Sequence, residues 1–181
     1  GGKGKRLYPL TKERCKPAIS FGGKYRLIDI PISNCLHSGV NKIFILTQFL
    51  TASIHRHIFQ TYHLDMLSRG FIDILHAEQT LAEAEWYQGT DDAVRRSARY
   101  IRNLEIDDVL ILSGDQLCRM NYREMLDFHR KRKAGLTIIG HPVNKTEAKR
   151  MGIMKTNVDG KVKKMVEKPQ DLSLVEGLQD A

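Results

Sequence analysis

With 181 residues, 41% hydrophobic and 28% charged side chains and a net charge of +8, the chain has the size and balance of one globular domain. No apolar run approaches the roughly 20 residues that span a bilayer, and no segment has the pattern of a signal peptide, so a helical membrane span is excluded and a cytoplasmic location is expected. Cys15, Cys35 and Cys118 are an odd count with no CxxC spacing, which favours free thiols in a reducing compartment over a disulfide framework or a zinc site.

The chain opens on "GGKGKRLYPLTKERCKPA" (1–18), a loop of glycines, prolines and basic residues. Residues 1–26 carry Lys3, Lys5, Arg6, Lys12, Arg14, Lys16, Lys24 and Arg26 against Glu13 alone. A duplex-binding protein spreads its charge along an exposed face and offers a groove-reading helix. Charge concentrated in a glycine loop fits a compact polyanion such as nucleotide phosphates, so neither nucleic acid nor membrane is expected as a partner.

"YRLIDIPISNCLHSG" (25–39) has apolar residues at helical spacing and predicts a helix closed by Gly39, with Pro31 at an early position or a kink. "KIFILT" (42–47) predicts a buried strand, "TASIHRHIFQTYHL" (51–64) a helix and "FIDILH" (71–76) a second strand. "TDDAVRRSARYI" (90–101) predicts a helix capped by Thr90 with acids in its first turn. "DVLILSGD" (108–115) reads as a third buried strand, "NYREMLDFHRKRKA" (121–134) as a helix capped by Asn121, and "GLTIIGHPV" (135–143) as a fourth strand. "GIMKTN" and "KVKKMVEK" flank "VDG" (158–160), the turn of a hairpin. "DLSLVEGLQDA" (171–181) has no clear place in the pattern and reads as a cut end. Strands alternating with helices, then an antiparallel addition, predict an α/β fold with a doubly wound, mostly parallel sheet.

Ligands of such sheets bind at the carboxyl ends of the strands. That directs attention to residues 1–18, 77–90, 113–119 and the surroundings of Glu167. The first loop has neither Walker A spacing nor G-x-G-x-x-G. Its composition leaves two readings equal, a phosphate cradle using backbone N–H groups with Arg6 and Lys16, or a solvated basic turn. Asp115, after an apolar run, fits either a Mg²⁺ ligand or an Asx-turn residue. Gln79 alone reads as a solvated loop amide, Tyr87 beside Trp86 as loop packing, and Glu167–Lys168 as a surface ion pair.

The first loop resembles the G-G-x-G-T-R-L-x-P-L-T…K-P-A signature of sugar-nucleotide pyrophosphorylases. "YRLIDIPISNC" (25–35), "WYQGTDDAV" (86–94), "SGDQL" (113–117), "MGIMK" (151–155) and "VEKP" (166–169) are similar to the ADP-glucose pyrophosphorylase branch, in family order. The resemblance covers essentially the whole chain. It implies a Rossmann-like nucleotidyltransferase domain truncated at both ends, with residues 1–181 as its partial catalytic domain. The family's first strand and its C-terminal left-handed β-helix domain are then absent from this chain.

The implied reaction is ATP plus glucose 1-phosphate giving ADP-glucose and pyrophosphate, for glycogen or starch synthesis. The resemblance assigns Gly1, Gly2 and Gly4 to wrapping the nucleotide and Arg6 and Lys16 to the triphosphate. Gln79 is assigned to the adenine, with Gly89 and Thr90 close to the base. Tyr87, Gly152, Glu167 and Lys168 are assigned to the sugar-phosphate side, Lys168 to the phosphate itself. Asp115 is assigned to Mg²⁺, the implied cofactor. A homotetramer or heterotetramer is the implied assembly, in the plastid stroma if the source is a plant. Lys5, Asp91 and Gln116 depart from the family's usual Thr, Ala and His. These departures fit a non-catalytic regulatory paralogue with altered regulation or reduced activity, although Arg6, Lys16, Asp115 and Lys168 are all present and favour catalysis. The other rival is a pyrophosphorylase using UTP or dTTP, against which "YRLIDIPISNC" and "WYQGT" argue.

Overall fold

The computed structural model describes residues 4–64, 70–77 and 87–171. Two compact units divide the chain, Gly1–Lys131 and Arg132–Ala181. Together they are a mixed α/β protein with a short parallel sheet and helices, consistent with a Rossmann-like domain.

In the first unit, β1 (Ser20–Phe21) and β2 (Tyr25–Arg26) make a small antiparallel hairpin around Gly22 and Gly23. Helix α1 spans Asp29–His37, β3 Lys42–Thr47, α2 Ala52–Thr61, β4 Phe71–His76, α3 Thr90–Arg102 and α4 Tyr122–Lys131. Strands β3 and β4 pair in parallel, from Lys42 opposite Phe71 to Thr47 opposite His76. Ile45 of β3 packs with Ala18, with Ile28 and Ile32 of the α1 region, and with Ile54 and Ile58 of α2. One apolar cluster thus joins the sheet, two helices and the turn that ends the opening loop.

Pro31 is the third residue of α1, where a missing N–H costs nothing because first-turn donors have no intrahelical partner. The helix ends in a Schellman arrangement. Val40 N–H donates to Cys35 O at 2.8 Å and Gly39 N–H to Leu36 O at 3.1 Å. Gly39 has φ +78°, and a Cβ there would lie 2.7 Å from the Arg123 guanidinium. Gly39→Ala is therefore expected to destabilise the protein by about 1–2 kcal/mol. Denaturant titration checks this, and an unchanged midpoint would contradict it.

Two predicted strands are not strands. Neither 108–115 nor 135–143 joins a ladder among the described residues, and Val109 and Ile111 are 52% and 59% exposed. Composition supplies β propensity, but a strand exists only where a neighbour takes its N–H and C=O groups. Asp115 accordingly sits in a turn and does not close a strand. The predicted Thr90 cap is also corrected. Gly89 is the N-cap of α3, and no side-chain capping bond forms there. Asp92 supplies the order instead, accepting from Gln88 N–H at 3.0 Å and pairing with Arg95 at 2.7 Å.

In the second unit, α5 (Lys145–Ala148) begins with a capping box between Asn144 and Glu147. Strands β5 (Gly152–Thr156) and β6 (Val162–Glu167) form the predicted hairpin, with Gly152 opposite Glu167 and Gly160 at φ +79° in the turn. Ala148 and Ile153 are its buried apolar residues, packed with Val143 and Val166. Among the described residues, no helix is long and apolar enough to cross a membrane.

Candidate functional site

The opening loop is folded by its own polar groups. Gly4, at φ +63°, presents its carbonyl to Leu7 N–H at 3.0 Å and to the Thr11 hydroxyl at 3.0 Å. A Cβ at Gly4 would come within 2.9 Å of Thr11 Cγ2, so the turn needs glycine whatever else it binds. Arg6 lies exposed in the single 3-10 turn Lys5–Leu7. Lys16 starts a second such turn, Lys16–Ala18, whose Ala18 is fully buried in the core.

Lys16 Nζ meets Asp115 Oδ2 at 2.5 Å, across 99 residues of sequence. Helix α1 makes the meeting possible, because both loops are docked on it. Ile28 N–H donates to Pro17 O at 3.0 Å, which ties down the Lys16 turn. Asn34 Nδ2 donates to Cys118 O at 2.7 Å, and the Ser38 hydroxyl accepts from Tyr122 N–H at 2.8 Å. These bonds hold the Asp115 loop to the body of the helix. A Cβ on Gly114 would lie 3.0 Å from Ile28 Cδ1 and 3.4 Å from Pro17 Cγ, so glycine lets the two loops close.

Ser113 Oγ donates to Asp115 Oδ1 at 2.5 Å. Burial pushes the Asp115 carboxyl towards the neutral form, but hydrogen bonds from Lys16 and Ser113 and the Lys16 charge outweigh it. Its pKa falls below the usual aspartate value, so Asp115 is an anion at neutral pH. The Asp115 and Lys16 side chains are 29% and 41% exposed. A charge pair this accessible can be remade with an incoming anion or cation.

The other expected site residues are distributed as follows. Gly1, Gly2 and Gln79 lie outside the described residues. Tyr87 is half-buried and donates its hydroxyl to His76 O at 2.9 Å, at the carboxyl end of β4. Gln48 donates to Tyr87 O at 3.4 Å. That hydroxyl is therefore engaged by protein backbone. Gly89 and Thr90 are exposed at the start of α3. In the second unit, Gly152 gives room to the Glu167 carboxylate, which a Cβ would meet at 2.9 Å. Glu167 and Lys168 form an ion pair at 2.6 Å with both side chains about 60% exposed. Lys168 has φ +45° and donates its N–H to Met151 O at 3.0 Å, so its backbone is set by the hairpin.

Sequence reasoning missed Ser113, Asn34 and Ser38 as parts of this arrangement. Ser113 stood in the quoted "SGDQL", and Asn34 in "YRLIDIPISNC". Their hydrogen bonds are tertiary and leave no spacing signal.

A basic loop turned by glycine, docked on a parallel-sheet core beside a charged carboxylate, defines an α/β domain built to handle anions at a loop. A family model described as nucleotidyl transferase matches residues 1–177. The chain belongs to that family. It is an enzyme of the class that transfers a nucleotidyl group, with a nucleotide and a sugar phosphate as the substrates the family implies.

Nucleotidyl transferases generally use a divalent metal such as Mg²⁺. Among the described residues no cluster of three or more His, Cys, Asp or Glu side chains gathers. The donor chemistry still fits, because Mg²⁺ keeps several waters and is commonly held by one or two carboxylates plus substrate phosphates. Asp115, anionic and partly exposed, meets that requirement.

Proposed function

We propose that the chain transfers the adenylyl group of ATP to glucose 1-phosphate, releasing pyrophosphate. The observation that carries the transfer is the contact of Lys16 with Asp115, a cation and an anion held together at the end of a basic glycine loop. Preference for adenine and glucose rests on the motifs "YRLIDIPISNC", "WYQGT" and "VEKP".

In this reading an oxygen of glucose 1-phosphate attacks the α-phosphorus in line. The bond from that phosphorus to the bridging oxygen breaks, and pyrophosphate leaves with the electron pair. No proton need move, and no covalent enzyme intermediate forms. The protein's work is to position two mutually repelling anions and to neutralise the leaving group. Arg6 forks onto the triphosphate, and Lys16 exchanges Asp115 for it. Gly1, Gly2 and Gly4 bring backbone N–H groups close to the nucleotide. Gln79 hydrogen-bonds the adenine edge, with Gly89 and Thr90 alongside the base. Asp115 would hold Mg²⁺, which when bound neutralises charge on the phosphates. Tyr87 and Gly152 line the sugar-nucleotide, Glu167 takes glucose hydroxyls, and Lys168 takes the sugar phosphate.

Lys168→Ala in the intact protein tests the acceptor side. Losing a charged hydrogen bond should raise KM for glucose 1-phosphate about tenfold or more and leave KM for ATP nearly unchanged. Steady-state kinetics with each substrate varied in turn separates the two. Equal losses for both substrates would identify Glu167–Lys168 as a surface ion pair without a binding role. The readout is ADP-glucose and pyrophosphate formed in equal amounts.

A further inference from the structure

The start of α1 carries a buried charged cluster that the transfer reaction does not use. Asp29, the first residue of α1, is 6% exposed. Its Oδ2 accepts from Arg26 N–H at 2.8 Å. His57 Nε2 lies 2.7 and 2.8 Å from its two oxygens, and the Tyr62 hydroxyl donates to Oδ1 at 2.8 Å. His57 lies on α2, and Tyr62 follows its last turn. A buried carboxylate persists only when donors surround it, and here they come from two elements.

The cluster reaches the site through the main chain. Arg26, fixed by Asp29, sends its guanidinium to Ala18 O at 2.5 Å. Leu27 N–H donates to Ile19 O at 3.1 Å and Ile28 N–H to Pro17 O at 3.0 Å. Residues 17–19 therefore hang from residues 26–28, and Lys16 is the next residue along. Ile54 and Ile58 of α2 press on Ala18 from the apolar side. Among the described residues, the hydrogen bonds that reach the Lys16–Ala18 turn from elsewhere in the chain come from Arg26 and Ile28, apart from the Lys16–Asp115 contact, while its apolar side packs on Ile45 of β3 as well as on α2.

We propose that Asp29, clamped by His57 and Tyr62, is a positioning residue for Lys16. It fixes the segment from which the Lys16–Ala18 turn hangs, and so sets where the ammonium meets a nucleoside triphosphate. The proposal rests on the assignment of the triphosphate to Lys16. A purely structural cluster would affect stability alone. A positioning cluster affects nucleotide binding, and does so only while Lys16 is present.

The experiment measures Mg·ATP binding by titration calorimetry in the intact protein, with folding checked by circular dichroism. Tyr62→Phe, His57→Leu and His57→Gln are made in the wild type and in Lys16→Ala. Tyr62→Phe and His57→Leu should weaken Mg·ATP about three- to tenfold. His57→Gln, whose amide can still donate to Asp29, should stay within about twofold of wild type. In the Lys16→Ala background all three should leave the constant unchanged, because coupled residues are not additive. Equal losses in both backgrounds would overturn the proposal, as would wild-type affinity in folded Tyr62→Phe. Tyr62→Phe removes one oxygen only and keeps the test decisive if His57→Leu does not fold. Unaltered binding in Lys16→Ala itself would refute the triphosphate assignment, and the positioning role with it.

Discussion

Asp115→Asn should leave the fold intact and lower magnesium-dependent turnover about a hundredfold or more. Asn keeps the size and the turn-forming capacity of Asp but loses the charge that faces Lys16 and would hold the cation. The stability cost should be below about 1 kcal/mol, because the pair is partly exposed and solvent screens it. Acid titration gives an independent check. The folded-state pKa of Asp115 lies below its usual value, so its contribution is present above about pH 4 and lost as pH falls through the depressed value. The Asn variant should lack that increment. A variant with wild-type activity and magnesium dependence would make Asp115 a turn residue and nothing more.

Lys16→Ala and Arg6→Ala should each slow turnover by about a hundredfold, near 3 kcal/mol of transition-state stabilisation. The effect should fall on kcat more than on KM for glucose 1-phosphate, since their charge matters most as pyrophosphate departs. The two differ in what else they disturb. Lys16→Ala also leaves Asp115, among the described residues, with Ser113 as its side-chain partner, whereas Arg6 is exposed and should report on substrate alone. Steady-state and single-turnover kinetics read both. Turnover near normal in both variants would refute the phosphate-cradle reading.

The parts of the fold legible in the sequence are those with a local cause. "KIFILT" and "FIDILH" read as strands and pair as β3 and β4. Gly39 ends α1 and "VDG" turns the β5–β6 hairpin, because each needs a conformation that glycine adopts freely. "DVLILSGD" and "GLTIIGHPV" are as β-rich as the true strands, but partner choice is a tertiary property. The β1–β2 hairpin at Gly22–Gly23 was hidden inside a segment whose charge dominated its reading. The "NKTE" capping box went unread beside a predicted strand.

The candidate site divides the same way. Motif resemblance singled out Lys16 and Asp115 separately, one for phosphate and one for metal. That they meet at 2.5 Å follows from α1 holding both loops, which no spacing in the sequence encodes. Tyr87 reads as loop packing from its residues and as a sugar-nucleotide contact from the resemblance, and its hydroxyl is bonded to the His76 carbonyl. The backbone carbonyl that accepts it could not be located before the turn was folded.

A nucleotide-by-sugar-phosphate activity matrix on the intact protein tests the central claim most directly. ATP, UTP, dTTP and GTP are each paired with glucose 1-phosphate and with other hexose 1-phosphates, and pyrophosphate release is recorded with Mg²⁺ present. The account predicts turnover concentrated in the cell for ATP with glucose 1-phosphate, and its collapse in Asp115→Asn. A preference for UTP or dTTP would contradict adenylyl transfer, and no turnover in any cell would contradict catalysis by this chain.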